Sequence, residues 1–323
     1  MKTKSHLEKV LQSGYFAVTA ECGPPKGSDV ARLEAKGKCL LGKVDAVNVT
    51  DNQTAIVRMS SMAACSILKR MGHEPVLQMV TRDRNRIALQ SDLFGAYALG
   101  IRNVLCLTGD HHSFGNQKDA VGVFDIDSIQ LIRTVRDMRE NGTIIGGQAI
   151  QGPPQMFIGA AANPFADPIG WRAVRLGKKV EAGADFIQTQ CVFNLDRFQK
   201  FMSQALGMGL TEKVYILAGI TPLKGVGMAR YMAEKVPGMD LPEALIDRMG
   251  GVPKSKQADE GIRIAAETIQ GVREIKGVSG IHLMAIEWEE KVPEILEAAG
   301  LDNRPAVCSQ QLRVSAFDTG FTD

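Results

Sequence analysis

The sequence predicts an α/β fold of the (β/α)8 class, a TIM barrel. Eight short apolar runs rich in Val, Ile and Ala alternate with longer segments whose apolar residues recur at helical spacing. Such alternation is typical of parallel βαβ units, and its recurrence about every 25–35 residues favours closure of eight units into a barrel. An open, doubly wound sheet is the alternative.

The predicted strands are bounded by Gly, Pro or Asp, as short strands buried on both faces should be. Helical segments fill the intervals. Three of them end at Gly72, Gly100 and Gly142, because glycine accepts the left-handed backbone that terminates a helix. We expect strands at 15–22, 44–50, 75–81, 103–109, 156–162, 186–192, 214–220 and 280–286.

Three segments fall outside this repeat. Residues 110–126 form a long loop after the fourth strand, and long loops in compact domains are often functional. Residues 143–155 resemble a small β-arm before the fifth strand. Residues 301–323 lack clear periodicity and would cover a surface or reach a partner. We therefore expect one catalytic barrel domain over 1–300, followed by a C-terminal tail.

Composition excludes several classes of protein. The 323 residues are 45% apolar and 23% charged, as in ordinary globular proteins, and the formal net charge is +2. Without a basic block, nucleic acid is not an expected partner. Neither a signal peptide nor a long apolar stretch is present, so we expect a cytoplasmic protein without a membrane span.

The cysteines and histidines give no metal signature. Adjacent His111 and His112 lack a third ligand nearby in the sequence, and no Cys-x-x-Cys pair occurs. We expect no metal and no disulfide framework. The six widely spaced cysteines are Cys22, Cys39, Cys65, Cys106, Cys191 and Cys308.

Polar residues at the strand ends are the candidates for chemistry, because barrels of this class build their sites there. Thr19 and Glu21 share one face of the first strand. Burial would favour the protonated form of Glu21 and make it a candidate general acid. Alternatively, Glu21 is a solvated carboxylate before a Gly-Pro-Pro turn. Asp110, after Gly109, either projects over the barrel mouth or caps its own loop.

Two glutamines share a face of the sixth strand. An amide offers a donor and an acceptor together, which suits the edge of a heterocycle such as a pterin. Gln188 and Gln190 are therefore candidate ligand-binding residues, or members of a hydrogen-bonded layer inside the barrel. Asn48 and Thr50 form a similar pair on the second strand.

No nucleotide-binding loop signature occurs. Both G-x-x-x-x-G-K-[ST] and G-x-G-x-x-G after a strand are missing from the sequence. A nucleotide would have to be held by loop backbone, helix N-termini and side chains. Arg175, Lys178 and Lys179 could contact phosphates, or could form the polar face of a helix.

Several of these segments resemble the methylenetetrahydrofolate reductase family. Glu21, followed after one residue by Gly-Pro-Pro, resembles its Glu-x-x-Pro-Pro signature. The other matches occur in family order between residue 17 and about residue 290: Thr81–Asn85, Leu107–Asp110, Ala161–Pro164, Glu181–Asp185 with Thr189–Gln190, and Gly219–Pro222.

The resemblance implies reduction of 5,10-methylenetetrahydrofolate to 5-methyltetrahydrofolate by a bound flavin, FAD in preference to FMN. Glu21 matches the general acid, Asp110 the carboxylate between flavin and folate, and Gln190, with Gln188 beside it, the pterin-binding amide. Gln78, Thr108 and Asn163 stand where many members have His, Arg and Tyr. The implied flavin-binding residues are Thr50, Gln78, Thr108, Gly109, Asp110, Asn163, Asp167, Lys178 and Lys179.

The resemblance also implies partners. Electrons would come from NAD(P)H or from a partner iron–sulfur subunit, which would have to supply the cluster-binding cysteines, and we expect an oligomer. A folate-binding methyltransferase barrel acting with a corrinoid or thiol acceptor is the alternative, although it does not need Glu21 before Gly-Pro-Pro. Retention of Glu21, Asp110 and Gln190 together argues against a non-catalytic scaffold.

Overall fold

The structure, a computed structural model, describes residues 1–236 and 238–305. Eight parallel strands form a closed barrel in chain order, with β8 pairing back onto β1. This arrangement confirms the predicted barrel and rules out the open sheet. The strands are β1 (Ala17–Cys22), β2 (Ala46–Val49), β3 (Pro75–Val80), β4 (Asn103–Leu107), β5 (Phe157–Ala162), β6 (Phe186–Cys191), β7 (Tyr215–Ile220) and β8 (Val278–Leu283).

Helices follow the strands and cover the outside of the barrel. Several begin at the side-chain caps that the sequence offers: Ser60 caps α3, Asn85 caps α4, and Asp127 forms a capping box with Gln130 at α5. The helices are α1 (His6–Gln12), α2 (Val30–Leu40), α3 (Ser61–Arg70), α4 (Arg86–Ala98), α5 (Ser128–Glu140), α6 (Arg172–Ala182), α7 (Leu195–Gly207), α8 (Val226–Lys235), α9 (Glu243–Gly250), α10 (Gln257–Arg273) and α11 (Val292–Ala298). In the described part of the chain, none of them is long and apolar enough to cross a membrane.

Helix α1 closes the N-terminal end of the barrel. Its buried side chains Leu7, Val10 and Leu11 pack against the inward-facing residues at the start of the strands. Among these residues, the rings of Phe157 and Phe186 stack with centroids 5.1 Å apart. The lower half of the interior is therefore apolar and filled, as in other barrels of this class.

Buried carboxylates tie strand starts together at the same end. Asp45 accepts a hydrogen bond from the backbone N–H of Val18 at 2.7 Å and pairs with Arg304. Asp185 accepts from the N–H of Ile158 at 2.9 Å and pairs with Arg139. Each carboxylate thus satisfies a buried backbone donor while it is itself neutralised by an arginine.

The predictions for the three segments outside the repeat agree with the structure to different extents. Residues 110–126 form the predicted long loop, with one short 3-10 turn at His112–Phe114. The predicted β-arm at 143–155 is reduced to a single antiparallel bridge between Thr143 and Ala149, because its glycines turn the chain too tightly for a ladder. Most of the predicted tail, including Cys308, lies outside the described residues.

Gly159 tests the packing of the lower interior. A Cβ at this position would overlap the Phe186 ring and approach Leu105 Cδ1 to 2.8 Å. We expect Gly159→Ala to lower the free energy of unfolding by about 1–3 kcal/mol, because an overpacked core must shift. The measurement is urea unfolding. Gly207→Ala, at a helix end with open space around it, is the matched control and should not be destabilising.

Candidate active site

A cavity of about 370 Å³ opens at the C-terminal end of the barrel. We call it the central cavity. Glu21 from β1, Asp110 from the loop after β4 and Gln190 from β6 all line it, although they are far apart in the sequence. The other predicted residues in its lining are Gln78, Thr108, Gly109, Arg175, Lys179 and Gln188.

Glu21 lies at the inner wall of the central cavity, beside a histidine from β8. Its Oε1 is 4.0 Å from Nε2 of His282, and both side chains are largely buried. The other ring nitrogen, Nδ1, lies 2.9 Å from Oγ1 of Thr19. The carboxyl group therefore faces both the cavity and a histidine that is fixed from behind.

A buried amide pair continues this polar layer across the barrel. Asn48 Nδ2 donates to Gln188 Oε1 at 2.7 Å, and Gln188 Nε2 donates back to Asn48 Oδ1 at 3.0 Å. Gln188 Nε2 also donates to Thr19 Oγ1 at 3.1 Å. The Gln188 amide is thus engaged as in the interior hydrogen-bonded layer that the sequence allowed.

Gln190, in contrast, is exposed to the cavity. The pairing of β6 with β7 shifts register between Gln188 and Cys191, which marks a β-bulge. Gly219 lies opposite the bulge, where a Cβ would overlap the Thr189 carbonyl group. β6 therefore contributes two amides to the lining, one internally bonded and one open.

Asp110 is held at the rim by its neighbours. Its Oδ2 accepts from the Thr54 N–H at 3.1 Å, and its carbonyl oxygen accepts from buried Arg82 at 2.9 Å. Gly109 has φ +91°, and a Cβ there would lie 3.1 Å from that of Val80. The sequence therefore needs glycine before the carboxylate, because both its backbone conformation and the space around it are restricted.

A second arginine supports the same rim. Buried Asp51 accepts from both terminal nitrogens of Arg84, at 2.7 and 3.1 Å, and from the Val80 N–H at 3.0 Å. Arg82 also donates to the carbonyl oxygen of Asn52. These contacts connect the loops after β2, β3 and β4 into one support for Asp110.

Lys179 brings a buried cation into the lining. Its ammonium group donates to the Ala161 carbonyl oxygen. Burial, reinforced by nearby Arg175, lowers the pKa of Lys179 to about 8. A cation that is costly to bury without an acidic partner suggests that an anionic or electron-rich ligand compensates it.

A smaller cavity of about 190 Å³ adjoins the central one, and we call it the side cavity. Its described lining contains the three cations Arg172, Arg175 and Lys179 and no carboxylate. Asn163 also lines it, although Asn163 Oδ1 already accepts from the Phe165 and Ala166 N–H groups. The side cavity is therefore an electropositive extension of the central one.

Three residues implied by the resemblance lie outside both cavities. Lys178 is exposed on the outer face of α6, one position from buried Lys179, and Asp167 is exposed in the loop after β5. Thr50 is fully buried at the end of β2, and its hydroxyl finds no hydrogen-bond partner among the described residues. By contrast, the Gln78 amide faces the central cavity without bonding to the described chain.

Among the charged and histidine side chains of the central cavity, sequence reasoning assigned no role to three: Asp51, Arg82 and His282. His282 carried a usable signal, since it is a polar residue inside an apolar strand. The two others belong to loops, where periodicity gives no direction. Over the described residues, no cluster of three or more metal-type side chains is present.

The fold and site define a barrel protein with an open polar cavity at its C-terminal face. The sequence profile of methylenetetrahydrofolate reductase matches residues 6–300. The chain therefore belongs to the methylenetetrahydrofolate reductase family.

Individual relatives agree with this assignment. The probable methylenetetrahydrofolate reductase (NADPH) of Caenorhabditis elegans is 26% identical over 251 residues, which are 76% of this chain and 35% of that protein. Methylenetetrahydrofolate reductase (NADH) 1 of Arabidopsis thaliana is 29% identical over 325 residues, covering 93% and 51%. The chain thus spans about a third to a half of the length of these relatives.

Among solved structures, a similar fold occurs in an uncharacterized protein from Clostridium thermocellum that binds two copies of 5-methyl-5,6,7,8-tetrahydrofolic acid. The TM-score is 0.61 at 14% identity, with 93% of this chain and 98% of that chain covered. At this identity, the likeness supports the barrel fold.

Lys179 should make stability depend on pH. Because its pKa is near 8 in the folded chain and 10.5 unfolded, the unfolded state binds more protons between these values. We expect the contribution of Lys179 to the free energy of unfolding to rise over that interval by roughly 2–3 kcal/mol. The buried cysteines, whose pKa values are raised, act in the opposite direction, so the measurement is the difference in free energy of unfolding between wild type and Lys179→Met. In urea unfolding at pH 7.5–10.5 this difference should change by that amount, whereas Lys178→Met, at the exposed neighbour, should follow wild type.

Proposed function

We propose that this chain reduces 5,10-methylenetetrahydrofolate to 5-methyltetrahydrofolate at the central cavity, using a bound flavin. The observation that carries the proposal is the convergence of Glu21, Asp110 and Gln190 on one cavity in a member of this family. The similarly folded clostridial protein that binds 5-methyl-5,6,7,8-tetrahydrofolic acid is consistent with a folate ligand.

The lining of the two cavities suits a flavin. In the central cavity, the unpartnered Gln78 amide and the Lys179 ammonium group could bond to the polar edge of a ring system. In the side cavity, Arg172 and Arg175 could bind phosphate. We propose FAD, whose two phosphates could use this extension. Lys178 and Asp167 would contact only outlying parts of the cofactor. When bound and reduced, the flavin supplies the hydride.

Glu21 is proposed as the general acid. It would give its proton to the folate nitrogen that leaves when the methylene bridge opens, and that nitrogen would keep the electron pair of the broken C–N bond. The methylene carbon then forms an iminium with the other nitrogen and can accept hydride. Glu21 ends the step as a carboxylate and needs a new proton before the next turnover.

Asp110 and Gln190 would manage charge and position. The Asp110 carboxylate, which accepts from the Thr54 N–H while Arg82 holds the Asp110 backbone carbonyl oxygen, would face the positive charge that develops on the folate. The Gln190 amide would pair with the donor and acceptor edge of the pterin. Gln188 would support the site indirectly and would not bind the pterin, since its amide bonds to Asn48 and Thr19.

The purified protein should be yellow, and anaerobic 5-methyltetrahydrofolate should bleach its flavin band, because the reaction can run in reverse from product. Absorbance near 450 nm and mass spectrometry of the extracted cofactor are the measurements. Added NADH, NADPH or a co-purifying iron–sulfur protein should identify the electron donor. A colourless protein that passes a methyl group to a corrinoid would favour the methyltransferase alternative instead.

Glu21→Gln should lower folate-dependent flavin oxidation by about 10²–10⁴-fold, because the amide cannot donate the proton. Flavin binding should be unchanged, since Glu21 contacts no cation of the side cavity. Anaerobic stopped-flow absorbance measures both properties. Glu181→Gln, at an exposed position on α6, controls for loss of a carboxylate. Normal turnover by Glu21→Gln would remove Glu21 from the mechanism.

A further inference from the structure

The Gly-Pro-Pro turn after β1 is held by side chains from neighbouring elements. Its two prolines have no N–H group, so the turn depends mainly on its carbonyl oxygens for hydrogen bonds. Lys36 Nζ, on α2, donates to the Gly23 oxygen at 3.4 Å. Arg58 Nη1, in the loop after β2, donates to the Pro24 oxygen at 2.8 Å. Two successive carbonyl groups are thus bound by cations from outside the turn.

Charged side chains connect this turn to the loop after β8. Lys36 Nζ lies 2.9 Å from Oε1 of Glu289 and 3.1 Å from Oε2 of Glu287. Arg58 Nη1 lies 3.6 Å from Oε1 of Glu287. Both cations that hold the turn are therefore paired with carboxylates that follow β8. We call the whole group the β1–β8 ion cluster, and its members are Arg32, Lys36, Arg58, Glu287 and Glu289.

The centre of the β1–β8 ion cluster is largely withdrawn from water. The side chain of Glu289 is 4% exposed, and those of Lys36 and Arg58 are each 12% exposed. Burial opposes the charge of Lys36, but pairing with Glu289 and Glu287 raises its pKa. Lys36 therefore stays charged in the folded chain, and its attraction to the two carboxylates is screened less than that of a surface ion pair.

The cluster lies where the pairing of β1 with β8 ends. The last pair joins Ala20 to Leu283, one residue before Glu21. Pairing with β2, in contrast, continues to Cys22. Glu287 has φ +50°, a left-handed conformation that glutamate rarely adopts and keeps only where surrounding contacts hold it. On the β8 side, the ion cluster thus takes over from the backbone ladder.

We propose that Lys36, together with Arg58, is a positioning residue that holds the turn after β1 against the loop after β8 and thereby directs the Glu21 carboxyl group into the central cavity. This inference rests on the proposed function, because it concerns the residue assigned as the proton donor. Loss of these contacts would let the end of β1 move. A displacement of about 1 Å at a reacting group can lower a rate about 100-fold.

The position of the turn can be measured without cofactor or substrate. Compared with wild type, a crystal structure of Lys36→Met should show residues 23–25 displaced and the Glu21 carboxyl group turned away from its wild-type direction. If the single variant does not fold, Lys36→Met with Glu289→Gln leaves no unpaired buried carboxylate at this point. An unchanged turn and an unchanged Glu21 would overturn the proposal, whether or not the chain is active.

Kinetics test whether this positioning matters for the reaction. We expect Lys36→Met to slow folate-dependent flavin oxidation at saturating folate by about 10–100-fold, with KM for folate and flavin content largely unchanged. Lys36→Arg keeps a charge and a donor and should recover most of the rate. Lys38→Met, at an exposed position on α2, is the matched control and should keep the wild-type rate.

A double-mutant cycle distinguishes positioning of Glu21 from a general effect on the barrel. In the Glu21→Gln background, Lys36→Met should change the residual rate by less than about twofold, because residues that act as a unit are not additive. Losses that multiply would contradict the proposal. If wild type neither binds flavin nor oxidises reduced flavin with folate, the proposed function fails. If wild type reacts but Lys36→Met leaves the rate and the turn unchanged, only the positioning role fails.

Discussion

The upper half of this barrel depends on one buried polar layer. The reciprocal amide pair of Asn48 and Gln188 joins β2 to β6 across the interior, and Thr19 links it to His282 on β8. Such a network is stable only when each member is satisfied, because unpaired polar groups are costly in a low-dielectric interior. It separates the apolar floor from the open cavity and determines which groups can face a ligand.

The rim also depends on satisfied polar groups, but here the groups are charged side chains and not amides. Asp51 binds Arg84, and Arg82 reaches the backbone of two loops, so the chain around Asp110 is fixed by buried hydrogen bonds. The cost of burying Arg82 is offset by the acceptors around it. Lys179 donates to the Ala161 carbonyl oxygen, and burial together with nearby Arg175 lowers its pKa. This buried cation lies in the lining of the cavity, whereas Arg82 and Arg84 are bound by carboxylates and backbone carbonyl groups.

Local pattern predicted the strands and the barrel because runs buried on both faces are continuous in sequence. It also placed Glu21 and Gln190 at the cavity, since strand parity and strand ends are local properties. It could not show that Gln188 binds Asn48, a partner 140 positions away, or that Lys179 rather than Lys178 faces inward, which depends on the rotation of α6. Helix α1 was missed because a seven-residue helix is recognisable only by what it packs against.

Because α1 packs against the N-terminal end of the barrel, the interior is open only at the C-terminal end. A ligand can reach Glu21 only past the loops at the C-terminal end of the strands. The width of that opening, and not the diameter of the barrel, would then limit the size of the ligand. Substitutions near Leu7, Val10 or Leu11 would alter the thermal stability of the barrel. Changes in the loop at 110–126 would alter which ligands the central cavity binds. Thermal stability and ligand selectivity thus depend on opposite ends of the same barrel.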